Sequence, residues 1–220
     1  MNTELWKIIG ESFLQTVYMT VFSTIGAYII GLPVGILLTV TDKNGLSPNK
    51  ILHGALAVTV NVSRSIPFII MLLLVTPLTR AITGTTIGAT AALVPLILSA
   101  APYAARLVEG SLKEVNAGAI EAAEALGASK MQTVFKVIIP EAKTALITGL
   151  AIAATTIMGY TAMAGCVAAG GLGETAYQYG TVRQQKAMLY ISVVLLVALV
   201  QICQEGGLFL AKKSDKRNKK

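Results

Sequence analysis

The stretch Gly171-Leu172-Gly173-Glu174-Thr175-Ala176 has the G-x-G-x-x-[GA] spacing that lets a backbone close on a dinucleotide pyrophosphate. It follows a long apolar run, not the strand of a βαβ unit, so that chemistry is excluded. No glycine is followed directly by lysine, so the chain has no G-x-x-x-x-G-K-[ST] phosphate loop. Cys166 and Cys203 fall within or at the end of different apolar runs, with no second Cys or His at metal-ligand spacing. They read as small apolar residues in helix packing. His53, the one histidine, reads as structural in preference to a proton relay. No Ser/His/Asp or Cys/His triad can be assembled, and no carboxylate pair suggests hydrolysis. The chain therefore reads as a non-enzyme that binds no cofactor or metal of its own.

The elements around these residues are apolar helices. Hydrophobic residues make up 54% of the chain and charged residues 13%, against about 25% charged in soluble domains. Charge is absent from Phe13 to Val40, Ala81 to Ala105, Leu146 to Gly173 and Ala187 to Gln204, and Ile51 to Leu78 carries only Arg64. Each block approaches or exceeds the roughly 20 residues needed to cross about 30 Å of hydrocarbon as a helix. The expected architecture is an all-α integral membrane protein with five spans, at 13–40, 51–78, 82–105, 144–169 and 187–210. Alternating ten-residue strands of a barrel are missing. The first block is retained as a span, because Glu4 and Glu11 outweigh Lys7 ahead of it, unlike a signal peptide.

Five spans put the termini on opposite sides. One side collects Lys43 and Lys50, then Arg106, Lys113, Lys130, Lys136 and Lys143, then the tail Lys212, Lys213, Lys216, Arg217, Lys219 and Lys220. The other holds Lys7, Arg80, Arg183 and Lys186. The positive-inside rule sets the N-terminus outside and the C-terminus in the cytoplasm. The net charge of +7 is thus a topology signal, and the scatter of basic residues speaks against nucleic acid.

A polar island occupies 109–141, between the third and fourth spans. Apolar residues recur along one helical face at Val115, Ala119, Ala122, Ala123 and Leu126, with Glu114, Glu121 and Glu124 off that stripe. Gly127 supplies a C′ position suited to a left-handed backbone. Ser129-Lys130-Met131-Gln132 fits a capping box that restarts a helix, with Met131, Val134, Phe135 and Ile138 as its apolar positions. Pro140 stops that helix or tilts entry into the next span. The island reads as two short helices joined by a glycine corner, either lying on the membrane or presented as a rigid knob to a cytosolic protein.

Glu121-Ala122-Ala123, Gly127 and Ile138-Ile139-Pro140 resemble the EAA loop of type I ABC importer permeases. Arg64-Ser65-Ile66-Pro67 is similar to the R-[SG]-x-P of amino-acid permeases in that family. Gly159-Tyr160-Thr161-Ala162-Met163, Ala169 to Gly173 and Tyr177 to Gly180, with Gly31 to Gly35 in the first span, look like the methionine importer permeases. The resemblance implies one transport domain over 1–220 in a multi-pass bacterial cell membrane protein. It implies a homodimer, two ATPase subunits that carry ATP and Mg, and an extracytoplasmic methionine-binding protein. In the family this loop docks on the ATPase. Glu121, Ala122, Ala123, Gly127, Ser129 and Pro140 would then form the coupling surface. Glu121 would cap or brace the first short helix, and a bulky residue at Gly127 would misplace the knob. Another small amino acid or sulfur compound is the alternative substrate. An ion-coupled carrier is disfavoured, because the spans offer no coupling carboxylate.

Five residues are candidates for the translocation pathway or gate: Arg64, Ser65, Pro67, Tyr160 and Met163. Arg64 lies about 20 Å into its span at 1.5 Å per residue. It either lines a cavity or clamps a helix end near Pro67. Tyr160 and Met163, three apart, would share a face that either meets a thioether or simply packs. Gly31 and Gly35 form a G-x-x-x-G suited to close helix approach. The glycine-rich stretch Gly170 to Gly180 would fold tightly only if protein covers it.

Overall fold

The computed structural model describes residues 3–215. The basic residues Lys216, Arg217, Lys219 and Lys220 of the tail lie outside them. Among the described residues every regular element is a helix: α1 (Thr3–Thr41), α2 (Lys50–Ser65), α3 (Phe68–Leu74), α4 (Thr76–Thr83), α5 (Ala89–Lys113), α6 (Ala117–Ala125), α7 (Lys130–Gln132), α8 (Ile139–Glu141), α9 (Lys143–Ala164), α10 (Gly171–Thr175) and α11 (Lys186–Ser214). Two π-helical stretches, Thr133–Ile138 and Ala176–Val182, and a 3-10 turn, Gly165–Val167, complete the list.

Four segments are long and apolar enough to cross a membrane: α1, α5, Lys143–Val167 and α11. A fifth crossing exists only if α2 and α3 count as one, and they are bent by 102°. The span expected at 51–78 is thus broken, at the Pro67 where the sequence offers a helix end. Pro67 has no N–H to give the helix and biases Ile66 away from helical backbone. The expected start at residue 82 also moves, to Ala89. Gly84 and Gly88 take left-handed φ values of 74° and 95° and interrupt the helix. At its other end α5 runs through the first residues assigned to the island, as far as Lys113, where i,i+3 and i,i+4 ion pairs support it. The first helix begins ten residues before the expected 13, at Thr3.

The helices form two compact units, neither a continuous stretch of sequence. The first comprises 1–27, 66–100 and 154–204. Its core joins Met19, Phe68, Ala92, Leu96, Ala164 and Ala169. The N-terminal part of α1 presents a buried hydroxyl ladder to this unit. Thr16, Thr20 and Thr24 each donate to the carbonyl four residues back, at 3.0, 2.8 and 2.7 Å. That removes the penalty of burying a hydroxyl without a partner.

The second unit comprises 28–65, 101–153 and 205–220. Its core joins Val108, Leu112, Val134, Ile138 and Ala142. Here Gly31 and Gly35 set α1 directly against α5. A Cβ at Gly31 would lie 2.7 Å from that of Ala104, and one at Gly35 only 2.6 Å from that of Val108. His53 Nδ1 lies 3.1 Å from the Leu38 carbonyl and fastens α2 to α1, a structural role.

Candidate functional site

The island builds itself from local hydrogen bonds in the second unit. Asn116 caps α6, its side chain accepting from the Gly118 N–H at 2.8 Å. Glu121 is not the cap; it is exposed on the helix. At the other end Gly127 has φ 78°. Its N–H donates to Glu124 O at 2.9 Å, and the Ala128 N–H donates to Ala123 O at 3.0 Å. Those two bonds make a Schellman close. Ser129 and Gln132 then form the expected capping box with both reciprocal bonds. The corner is thus fixed from both sides.

Beyond the corner the helix does not stop at Pro140. It passes into the π-helical stretch Thr133–Ile138 and continues through Pro140 in α8. The missing proline N–H disturbs the i→i−4 ladder, and a π-bulge absorbs the misfit. The expected apolar face divides. Val134 and Ile138 are buried in the core, while Leu126, Met131 and Phe135 are 89%, 67% and 55% exposed. Ala122 is exposed and Ala123 half-buried. The island therefore holds its shape with Val134 and Ile138 and leaves large apolar side chains uncovered around a locked corner. Buried apolar area is worth roughly 25 cal/mol per Å², so this patch gains free energy when another surface covers it.

Beside it lies a cavity of about 640 Å³ lined by Asp42, Lys43, Lys113, Glu121 and Glu124 among others. A chain of charges runs along one side of α5. Glu109 is 5% exposed. It takes Arg106 on one oxygen at 2.5 Å and Lys113 on the other at 2.8 Å. Arg106 also donates to Asn61 Oδ1 at 2.8 Å, and Lys113 to Asp42 Oδ2 at 2.6 Å. The Lys113 hydrogen bond holds the Asp42 carboxyl below the usual carboxylate range, helped by the Asn44 N–H. In the sequence Arg106 and Lys113 register only as topology charges, and Glu109 does not stand out. The spacing of 106, 109 and 113 on a helix was the available signal.

The pathway candidates divide between the units. Arg64 occupies the last turn of α2 with its guanidinium 5.8 Å from the Tyr103 ring centroid. Ser65 Oγ donates to Asn61 O at 2.9 Å. In the other unit Pro67 opens α3, and Phe68 stacks on Tyr160 with centroids 4.8 Å apart and planes 2° apart. Met163 does not share Tyr160's environment, being 52% exposed. Three residues turn a helix about 300°, and the edge of the packed stripe falls between the two.

The glycine-rich segment folds tightly against α1 in the first unit. The Gly171 N–H donates to Gln15 Oε1 at 2.8 Å and the Leu172 N–H to Thr16 Oγ1 at 2.9 Å. Glu174 accepts from the Gly170 N–H at 2.6 Å, and Ser12 bonds Thr175. A Cβ on Gly165 or Gly173 would strike the backbone of Glu174 or Ala162 respectively. Cys166 is corrected: it sits exposed in the 3-10 turn and not in helix packing, while Cys203 is half-buried.

Residues 31–205 match the family described as binding-protein-dependent transport system inner membrane component. The chain belongs to this family. Its inner-membrane components are transport subunits and not the catalyst. The chain is 41% identical over 217 residues to a probable D-methionine transport system permease protein of Pasteurella multocida, covering 99% of this chain and 100% of that one. It is 40% identical to the methionine import system permease protein of Bacillus subtilis, over 98% and 95% of the two chains. It superimposes with a TM-score of 0.96 on an inward-facing structure of the MetNI methionine ABC transporter, at 42% identity, over 98% of this chain and 100% of that one.

Proposed function

We propose that this inner-membrane component is the permease subunit of an ATP-driven importer that brings methionine into the cytoplasm by alternating access. Two copies would pair in the bilayer of a bacterial cell, with two ATPase subunits and an extracytoplasmic methionine-binding protein. ATP and Mg belong to the ATPase. The observation that carries the coupling role is the island's locked corner beneath exposed Leu126, Met131 and Phe135, a rigid apolar surface prepared for a partner. The full-length relatives named for methionine support the substrate.

On this reading Glu121, Ala122, Ala123, Gly127, Ser129 and Pro140 form the coupling surface, and Arg64, Ser65, Pro67, Tyr160 and Met163 contribute to pathway or gate. The chain acts as one transport domain over 1–220, with its N-terminus outside and its C-terminus in the cytoplasm. ATP must bind the closed ATPase pair more tightly than the open one to shift the permease at all, and the island must carry that preference without yielding. Proteoliposomes containing permease, ATPase and binding protein should take up radiolabelled methionine only with ATP. Uptake of another solute in its place would overturn the substrate, and uptake without the ATPase would overturn the importer.

A further inference from the structure

The charge chain on α5 lies at the root of the island, and nothing in the coupling surface itself explains it. Glu109 is buried, and an ionised carboxylate is expensive to bury unless its partners stay in place. Both partners do. Arg106 and Lys113 each spend a second set of donors elsewhere: Arg106 on Asn61 and the Ala57 carbonyl of α2, Lys113 on Asp42 of the loop after α1. One buried anion thus fastens α5 to two other elements of the second unit. Lys113 is the last residue of α5. Three residues later Asn116 caps α6. The loop that holds Asp42 also meets the island's second helix, where Lys130 Nζ reaches Ser47 Oγ at 3.2 Å. Asp42 and Lys113 line the same cavity as Glu121 and Glu124 of α6.

We infer that Glu109, Lys113 and Asp42 are positioning residues for coupling: they fix the first helix of the island to the α1–α2 loop, so that force applied at the corner moves the helices instead of swinging the island on its hinge. The inference rests on the proposed coupling role of the island. It predicts that loosening the chain separates ATP hydrolysis from uptake without removing the docking surface.

The test uses the complete transporter with ATPase subunits and binding protein in proteoliposomes. Methionine taken up per ATP hydrolysed is compared for wild type, Lys113→Met, Asp42→Asn and the conservative Lys113→Arg. The first two should lower the ratio at least fivefold while the ATPase still co-purifies. Lys113→Arg, which keeps both ion pairs, should stay within twofold of wild type. Hydrogen exchange on the same complexes should quicken across Ala117–Ala125 in Lys113→Met, with the middle of α9 unchanged. An unchanged ratio in Lys113→Met, or a loss that arginine does not rescue, overturns the inference, as does unaltered exchange in α6. Gly127→Trp run in parallel separates the two levels. If it too leaves the ratio unchanged, the coupling role of the island is what fails.

Discussion

Substituting Gly127 distinguishes two reasons for a glycine at the corner. The sequence alone suggests bulk, since a large residue there would displace the knob. The structure gives a different reason. A Cβ at Gly127 meets nothing within 4 Å, so alanine, valine and tryptophan each place their first side-chain carbon in open space. What they share is φ 78°, a left-handed backbone that costs an L-residue about 1–2 kcal/mol. That lowers the population of the native corner by about 5–30-fold against its alternatives. Asparagine tolerates this region and should lose several-fold less. The readout is hydrogen exchange at the amides of residues 127 and 128, whose bonds to Glu124 O and Ala123 O close the helix. Uptake per ATP is measured on the same variants. Gly127→Ala and Gly127→Trp should lose protection alike, and Gly127→Asn less. If alanine matches wild type and only tryptophan fails, bulk and not backbone conformation decides, and the argument is wrong.

Other substitutions test the packing and the polar contacts. Gly35→Ala forces a methyl to within 2.6 Å of Val108 Cβ and should destabilise the permease by about 1–3 kcal/mol in thermal melts. Gly110→Ala, with nothing within 4 Å, should be neutral or stabilising by about 0.5–1 kcal/mol. Thr16→Val leaves the buried Leu172 N–H without an acceptor and should cost about 1–3 kcal/mol, seen as faster exchange at that amide. Thr24→Val removes only a bond to the carbonyl of the preceding turn and should cost less than Thr16→Val in the same melts. Because Asp42 has a lowered pKa, its contribution is complete above the unfolded value near 3.9 and disappears as pH falls through the folded value. Wild-type melting should therefore be insensitive to this group from about pH 8 to 5, and the difference from Asp42→Asn should shrink below about pH 4. A difference that grows on acidification would contradict the ion pair.

What the sequence disclosed and what it withheld follow one physical division. Local bonds were legible. The glycine corner and the Ser129–Gln132 box involve residues within a few positions of each other, and their chemistry is written in residue type and spacing. The close approach of α1 and α5 was half legible. Gly31 and Gly35 announce a smooth surface, but only the structure names Ala104 and Val108 as what meets it. Apolar runs marked the crossings, and Pro67 marked a helix end within one of them. Its place in a greasy stretch does not disclose the size of the bend, 102°.

The polar interior was the least legible part, and for a reason that bears on function. In a span, a serine or threonine that bonds its own preceding turn scarcely lowers the hydropathy of the block, so the ladder Thr16, Thr20, Thr24 passed as part of a greasy helix. Yet Thr16 does two things at once: it donates to Ser12 O and accepts from the Leu172 N–H, 156 residues away. Glu109 shows the opposite case. Its charge is visible, but burial is not, and a carboxylate near Arg and Lys in a polar loop reads as a solvated face. Buried, it must keep both cations. The groups that matter most for transmitting a movement are those whose partners are distant in sequence and whose separation is costly. Thr16 with Leu172, and the two cations of Glu109 with Asn61 and Asp42, meet that description. The exposed Leu126, Met131 and Phe135 do not, since their worth depends on a surface outside this chain. A load on that surface can move the helices only if the island's root holds, and in this chain the root is held by charge.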